Sequence, residues 1–133
     1  MPRRTDPDAG RAALTAWATA TEPLPRRILA TAVRWSLELL ADEFPGRAVE
    51  VRVPPHGAVQ AVAGVRHTRG TPPAVVETDA ATWLALASGD LDWATARRSA
   101  RVDASGERSD LTELLPLPGV RRLVAQARAE EGT

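Results

Sequence analysis

The hydrophobic and polar positions of the chain follow two different periods. Between Arg26 and Glu43, apolar side chains recur every three or four residues with polar ones on the opposite side, a pattern typical of an amphipathic helix. Between Val49 and Val53, three valines alternate with charged residues, which predicts a half-buried strand. The chain therefore combines helices and strands.

The same two periods, interrupted by prolines and glycines, divide the rest of the chain. Strands are predicted over residues 49–53, 58–63, 64–70, 74–78 and 101–105. Helices are predicted over residues 9–20, 26–43, 80–87, 91–100, 111–115 and 120–130. Asp79 is predicted to cap the helix that follows it, and Asp110 with Glu113 has the spacing of a capping box. This order predicts an α+β fold with a five-stranded, mostly antiparallel sheet covered by helices.

Length and composition limit the function classes. The chain has 133 residues, enough for one domain: we expect a tail and short helix over 1–23, then a single domain over 24–133. Within that domain the core is predicted over about 24–117 and a C-terminal helix over about 119–131. Lys+Arg and Asp+Glu both number 17, which argues against a nucleic-acid-binding protein. Cysteine is absent, which excludes disulfides and thiolate nucleophiles.

No targeting or membrane-spanning segment is recognised in the sequence. The longest uncharged run, Val53 to Val65, is interrupted by two prolines and two glycines. A spanning helix needs about 20 apolar residues. We therefore expect a cytoplasmic protein without an integral membrane segment.

The sequence contains few residues that could act in catalysis or bind a polar ligand. His56 lies in a Pro-Pro-His-Gly turn, where an exposed loop histidine is the default interpretation. The densest polar cluster contains Arg66, His67 and Arg69, and could contact an anion or a ligand head group; the competing interpretation is a solvated edge strand. The two histidines lack metal-ligand spacing and there is no glycine-rich nucleotide loop, so we expect neither a metal nor a cofactor.

A run of motifs resembles the sterol carrier protein family, in its stand-alone bacterial, actinobacterial-type form. The resemblance covers about residues 24–117. Its motifs are Val49–Val53, Ala58–Val62, Val75–Asp79, Trp83 to Ala96, Arg101–Glu107 and Leu111 to Leu115. The family often has glycine before the last strand, where this chain has Ala100.

The resemblance implies a sheet covered by helices around an apolar tunnel for sterols, fatty acyl chains or acyl-CoA. The expected function is therefore a non-catalytic lipid-binding carrier, not an enzyme. The expected lining comprises Val49, Val51, Val53, Trp83, Leu84, Leu86, Trp93, Leu111 and Leu115. Two alternatives stay open: these side chains fill a solid core, or the fold serves as a regulatory module with a closed cavity that binds a protein partner.

Overall fold

A computed structural model describes residues 4–64, 74–106 and 109–132. Its helices are α1 (Pro7–Thr19), α2 (Arg26–Glu43), α3 (Ala80–Ser88), α4 (Trp93–Arg98) and α5 (Pro118–Glu131). Its strands are β1 (Val49–Val53), β2 (Gly57–Ala61), β3 (Ala74–Thr78) and β4 (Val102–Ser105). The α+β class is confirmed.

The sheet departs from the prediction in strand count and direction. The described strands form one four-stranded mixed sheet in the order β2-β1-β3-β4. β1 pairs antiparallel with β2 and parallel with β3, while β3 pairs antiparallel with β4. Among the described residues the sheet therefore has four strands where five were predicted, and it is mixed where a mostly antiparallel sheet was predicted. The difference in strand direction arises because β3 pairs with β1 and not with β2. Two parallel neighbours such as β1 and β3 are joined by a crossover connection and not by a hairpin. The strand predicted over 64–70 falls, apart from Gly64, outside the described residues.

One face of the sheet is apolar and the other polar, as the alternation in β1 predicts. Val51 of β1 is fully buried, and its parallel neighbour Val76 of β3 is 1% exposed. The intervening Arg52 and Glu77 are exposed and pair in register on the opposite face. Such a one-sided sheet must be covered by another layer on its apolar face.

Helix ends follow local capping chemistry. α2 has the predicted bounds, and α3 begins after Asp79, whose carboxylate accepts the Thr82 backbone N–H at 2.8 Å. α3 ends at Gly89 in the left-handed conformation, with φ of 90°. α1 begins two residues earlier than predicted, because Asp6 rather than Asp8 accepts the Ala9 N–H.

A further prediction is wrong for an identifiable reason. The segment 111–115 forms a turn instead of a helix, because Asp110 accepts the Thr112 N–H at 2.9 Å in an Asx turn. Trp35 of α2 faces α1, and its ring lies against Gly10. α1 packs against both α2 and α5, so it forms an outer helical layer over α2.

Candidate functional site

The apolar face of β1 forms the floor of the candidate ligand site. Val49, Val51 and Val53 project from alternate positions and have no solvent exposure. The strand places them on one face because its side-chain period is two. Three of the predicted lining residues are therefore adjacent along one central strand.

Helix α3 supplies the next part of the site. Trp83 and Leu86 are 1% exposed and Leu84 is fully buried. The indole N–H of Trp83 donates to Ser36 Oγ of α2 at 2.8 Å, and that hydroxyl lies 2.8 Å from the Ala32 carbonyl oxygen. No buried side-chain polar atom among the described residues lacks a hydrogen-bond partner. The interior is therefore apolar, with its polar atoms satisfied.

The remaining predicted lining residues lie on α4 and in the turn 111–115. Trp93 opens α4 after the Asp92 cap and is 7% exposed, and Leu111 is 1% exposed. Leu115 packs against the same core but is half-buried. Eight of the nine predicted lining side chains thus belong to one buried cluster, with Leu115 at its edge.

A small groove opens onto this core between α2 and α5. It has a volume of about 280 Å³ and includes the buried core residues Leu117 and Val120. Half-buried Leu39 forms another wall, while Asp42 and Glu43 form an acidic rim. This is an apolar opening in the described surface that reaches core side chains.

The predicted anion cluster is not among the described residues. Arg66, His67 and Arg69 lie outside the described residues, so their contact with a ligand stays a prediction. His56 lies on the β1–β2 turn, where its backbone N–H donates to the Val53 carbonyl at 2.9 Å.

A basic groove that the sequence analysis missed lies beside this turn. It has a volume of about 490 Å³ and is lined by Arg26, Arg27, Ala30, Arg34, Pro55 and His56. The doublet Arg26-Arg27 and the spacing from Arg26 to Arg34, two helical turns, could have signalled it. The pairing with His56 depends on tertiary packing and had no local signal.

The resolved pKa shifts belong to structural contacts. Hydrogen bonds from the Arg128 guanidinium hold the pKa of Asp90 below its usual range. The Thr95 backbone N–H lowers the pKa of Asp92, and the Thr112 hydroxyl lowers that of Asp110. These carboxylates cap helices or turns, or form an ion pair, and none of them lines either groove.

Residues 4–64, 74–106 and 109–132 contain no cluster of three or more histidine and carboxylate side chains arranged to hold a metal ion. In the same ranges, no helix is both long and apolar enough to span a bilayer.

The chain matches the sequence model of a known protein family. The model of bacterial sterol carrier protein (SCP) orthologs matches residues 25–117. The chain belongs to this family. Comparison with curated proteins finds no significant match.

The SCP match coincides with structural boundaries. It begins at Pro25, the N-cap of α2, and ends at Leu117, the N-cap of α5. It therefore contains the whole described sheet, helices α2 to α4 and all nine proposed lining residues. Helices α1 and α5 lie outside the match and pack against each other.

Proposed function

We propose that this SCP family member is a non-catalytic lipid carrier acting in the cytoplasm. Its ligand is a sterol, a fatty acyl chain or a similar apolar molecule, taken up between the sheet and the helices. The observation that carries the proposal is the family match over the segment that contains the one-sided apolar sheet.

Physical chemistry supports binding without a catalytic group. Burial of an acyl chain contributes about 0.8 kcal/mol per methylene, so a long chain binds through apolar contact alone. Val49, Val51 and Val53 supply such a surface, and the α2–α5 groove reaches the core side chains Leu117 and Val120. The ligand would enter there and displace side chains between the layers.

Titration with a fluorescent fatty acid, combined with native mass spectrometry of the gently purified protein, tests this function. We expect a saturable signal at micromolar concentration or a co-purified lipid. A protein without co-purified lipid and without binding at tens of micromolar would contradict the carrier proposal.

A matched pair of variants tests the place of entry. A Cβ added at Gly119 meets no heavy atom within 4 Å, and Gly119 lines the α2–α5 groove, so Gly119→Phe introduces a ring at that groove. Ala125→Phe adds the same ring at an exposed position of α5 outside that groove. We expect Gly119→Phe to weaken fatty-acid binding and Ala125→Phe to leave it unchanged. Equal binding by both variants would exclude entry through this groove.

A second candidate function is an interaction or regulatory module with a closed cavity. The specific observation that favours it is the packing at Trp83, which is 1% exposed and whose N–H is already bound by Ser36. A side chain held in this way resists displacement by a ligand. Its partner-binding surface would include the N-terminal helices or the segment with Arg66 and Arg69.

Affinity capture from the native host distinguishes this module from the carrier. We expect a partner retained by the wild type and lost from the Arg66→Ala/Arg69→Ala variant. An unchanged set of partners would exclude that segment. The same variant in the fatty-acid titration tests Arg66, His67 and Arg69 as head-group contacts, because a head-group role predicts weaker binding of the carboxylate.

A further inference from the structure

Three arginines converge on one surface groove at the start of α2. Arg26, Arg27 and Arg34 line it together with His56 from the β1–β2 turn. The arginines share a side of α2, since positions separated by seven or eight residues lie two turns apart on one face. The six lining residues contribute three formal positive charges and no carboxylate. This local excess occurs in a chain whose formal net charge is zero.

Glu38, the carboxylate one helical turn after Arg34, contacts the N-terminal segment and not Arg34. Sequence spacing pairs Arg34 with Glu38, four residues on. In the structure Glu38 accepts the Thr5 backbone N–H at 2.9 Å and the Thr5 hydroxyl at 2.7 Å. It also lies 3.7 Å from the Arg4 guanidinium. The expected intrahelical pair with Arg34 is therefore replaced by contacts to the N-terminal segment.

The other two arginines are also free of a carboxylate partner. Across residues 4–64, 74–106 and 109–132, the ion pairs within 4.0 Å involve Arg4, Arg11, Arg52 and Arg128, and none involves a groove arginine. Like charges held close together repel one another unless an anion binds between them. The groove therefore favours an anionic ligand.

Tertiary packing fixes the two sides of the groove relative to each other. A Cβ placed on Gly57 would lie 3.5 Å from Arg34 Cγ and 3.7 Å from Leu37 Cδ1. The stem of Arg34 therefore lies over the residue that follows His56, and α2 is anchored to β2 at this point. The backbone of His56 is itself fixed by its bond to Val53. The cationic side chains thus project from a framework that is already formed.

We propose that this groove is a binding site for the phosphate group of a ligand. Guanidinium groups form bidentate, charge-assisted hydrogen bonds with phosphate oxygens, and three of them match a multiply charged anion better than a single carboxylate. The imidazole of His56 adds a further hydrogen-bond donor at the opposite wall. A free phosphorylated compound and a phospholipid head group present this same chemistry. The site does not depend on the carrier function, because the groove lies outside the apolar core.

Inorganic pyrophosphate is the probe for the free ligand, measured by calorimetry and by thermal unfolding at low ionic strength. The groove variant is Arg26→Gln/Arg27→Gln/Arg34→Gln. The control is Arg47→Gln/Arg101→Gln/Arg122→Gln, which removes the same charge from exposed positions outside the groove. We expect the groove variant to bind about tenfold more weakly or worse, and the control within about twofold of the wild type.

Thermal unfolding provides a readout that does not confuse lost binding with lost folding. Without ligand, the groove variant should unfold at the same or a higher temperature, since cations in the first turn oppose the helix dipole. Pyrophosphate should then raise the unfolding temperature of the wild type and of the control, but not that of the groove variant. A His56→Gln variant, which keeps all three arginines, should show a smaller loss of binding.

Co-sedimentation with phosphatidylcholine vesicles, with and without phosphatidic acid, distinguishes a phospholipid head group from a free phosphorylated compound as the ligand. Pyrophosphate binding lost in the groove variant supports the site with a free phosphorylated ligand. Vesicle binding that requires phosphatidic acid and is lost in the groove variant supports it with a head group. Absence of both, or equal losses in the groove variant and the control, would overturn the proposal. Fatty-acid binding is measured separately, so failure here leaves the carrier function intact, and the reverse also holds.

Discussion

Trp83 and Ser36 form a buried hydrogen bond that joins α3 to α2. The indole Nε1 donates to the serine Oγ at 2.8 Å, and the two residues are 1% and 0% exposed. The serine hydroxyl lies 2.8 Å from the Ala32 carbonyl and 2.9 Å from the Val33 carbonyl, so its proton is directed into its own helix. The largest fully buried side chain among the described residues is therefore oriented by one hydroxyl group.

Replacing that hydroxyl should destabilise the protein. In Ser36→Ala the indole N–H has no acceptor in a site without solvent, and an unsatisfied buried donor costs about 1–3 kcal/mol. We expect a decrease of that size in the free energy of unfolding, measured by urea denaturation followed by circular dichroism.

Ser99→Ala is the matched control. Ser99 Oγ also bonds back to the carbonyl four residues earlier, at 2.8 Å from Thr95, but it accepts no bond from a tryptophan and is exposed. We expect a change within about 0.5 kcal/mol. If both serine variants lose the same stability, the helix itself and not the indole accounts for the effect.

The contact between Gly10 and Trp35 predicts that Gly10→Ala lowers the stability of the protein, although helix propensity alone favours alanine. Gly10 lies inside α1, where alanine is favoured over glycine by about 1 kcal/mol. A Cβ at this position would overlap Trp35 Cγ and Cδ2, and Trp35 is only 9% exposed. We therefore expect Gly10→Ala to reduce stability by about 1–3 kcal/mol, because overpacking outweighs propensity. Urea unfolding measures the difference.

The same substitution in α5 should act in the opposite direction. A Cβ at Gly119 meets nothing within 4 Å, so Gly119→Ala is expected to stabilise by up to about 1 kcal/mol. A Gly10→Ala variant that is also more stable than the wild type would show that α1 can move away from Trp35 at no cost.

How far the sequence predicted this structure depends on whether a feature is local. The bounds of α2 and the Asp79 cap depend on nearby residues, and both are confirmed. The parallel pairing of β1 with β3 depends on a connection between distant segments, so alternation within each strand could not show it. The burial of Val51 followed from its strand period. The grouping of Arg34 with His56 required the packing of α2 on β2, which no local pattern contains.

The Arg128–Asp90 ion pair predicts a dependence of stability on pH. Arg128 donates to both Asp90 oxygens at 2.8 Å, and these hydrogen bonds lower the pKa of Asp90 from 3.8. A carboxyl whose pKa is lower in the folded state stabilises the fold when it is ionised. That contribution is complete well above pH 3.8 and is lost as the pH falls below 3.8, through the lower folded-state pKa.

Asp90→Asn removes this contribution. Both side chains are partly solvent-exposed, 42% for Arg128 and 38% for Asp90, so we expect a loss under about 1 kcal/mol near neutral pH. The difference from the wild type should shrink as the pH falls below 3.8. Urea unfolding of both proteins at neutral pH and below pH 3.8 measures this difference in stability. A difference that does not change with pH would contradict its origin in the ion pair.

Arg128→Gln should cost more than Asp90→Asn at neutral pH. The guanidinium also donates to the Ala18 carbonyl at 3.0 Å and lies 5.5 Å from the centre of the Trp17 ring. Its loss therefore weakens the attachment of α1 to α5 as well as the ion pair. Equal losses in the two variants would assign the whole effect to Asp90.

Ala100 occupies a backbone conformation that favours glycine. It follows α4 with φ of 58°, and the Arg101 N–H donates across it to the Ala96 carbonyl at 3.0 Å. This is a left-handed helix end, and a Cβ there costs about 1–2 kcal/mol. Glycine removes that cost but gains freedom in the unfolded chain, so we expect Ala100→Gly to stabilise by about 0.5–1 kcal/mol. The family resemblance agrees with this expectation, since sterol carrier proteins often have glycine before the last strand, at the position of Ala100.

The identical change inside α4 should destabilise. Ala94 is exposed and helical, so Ala94→Gly loses about 1 kcal/mol of helix propensity without removing any buried contact. Thermal and urea unfolding of the two variants should therefore give opposite shifts relative to the wild type. Destabilisation of similar size in both would show that Ala100 does not hold a left-handed conformation in solution. Opposite shifts would establish that the end of α4 is under strain that a single glycine relieves.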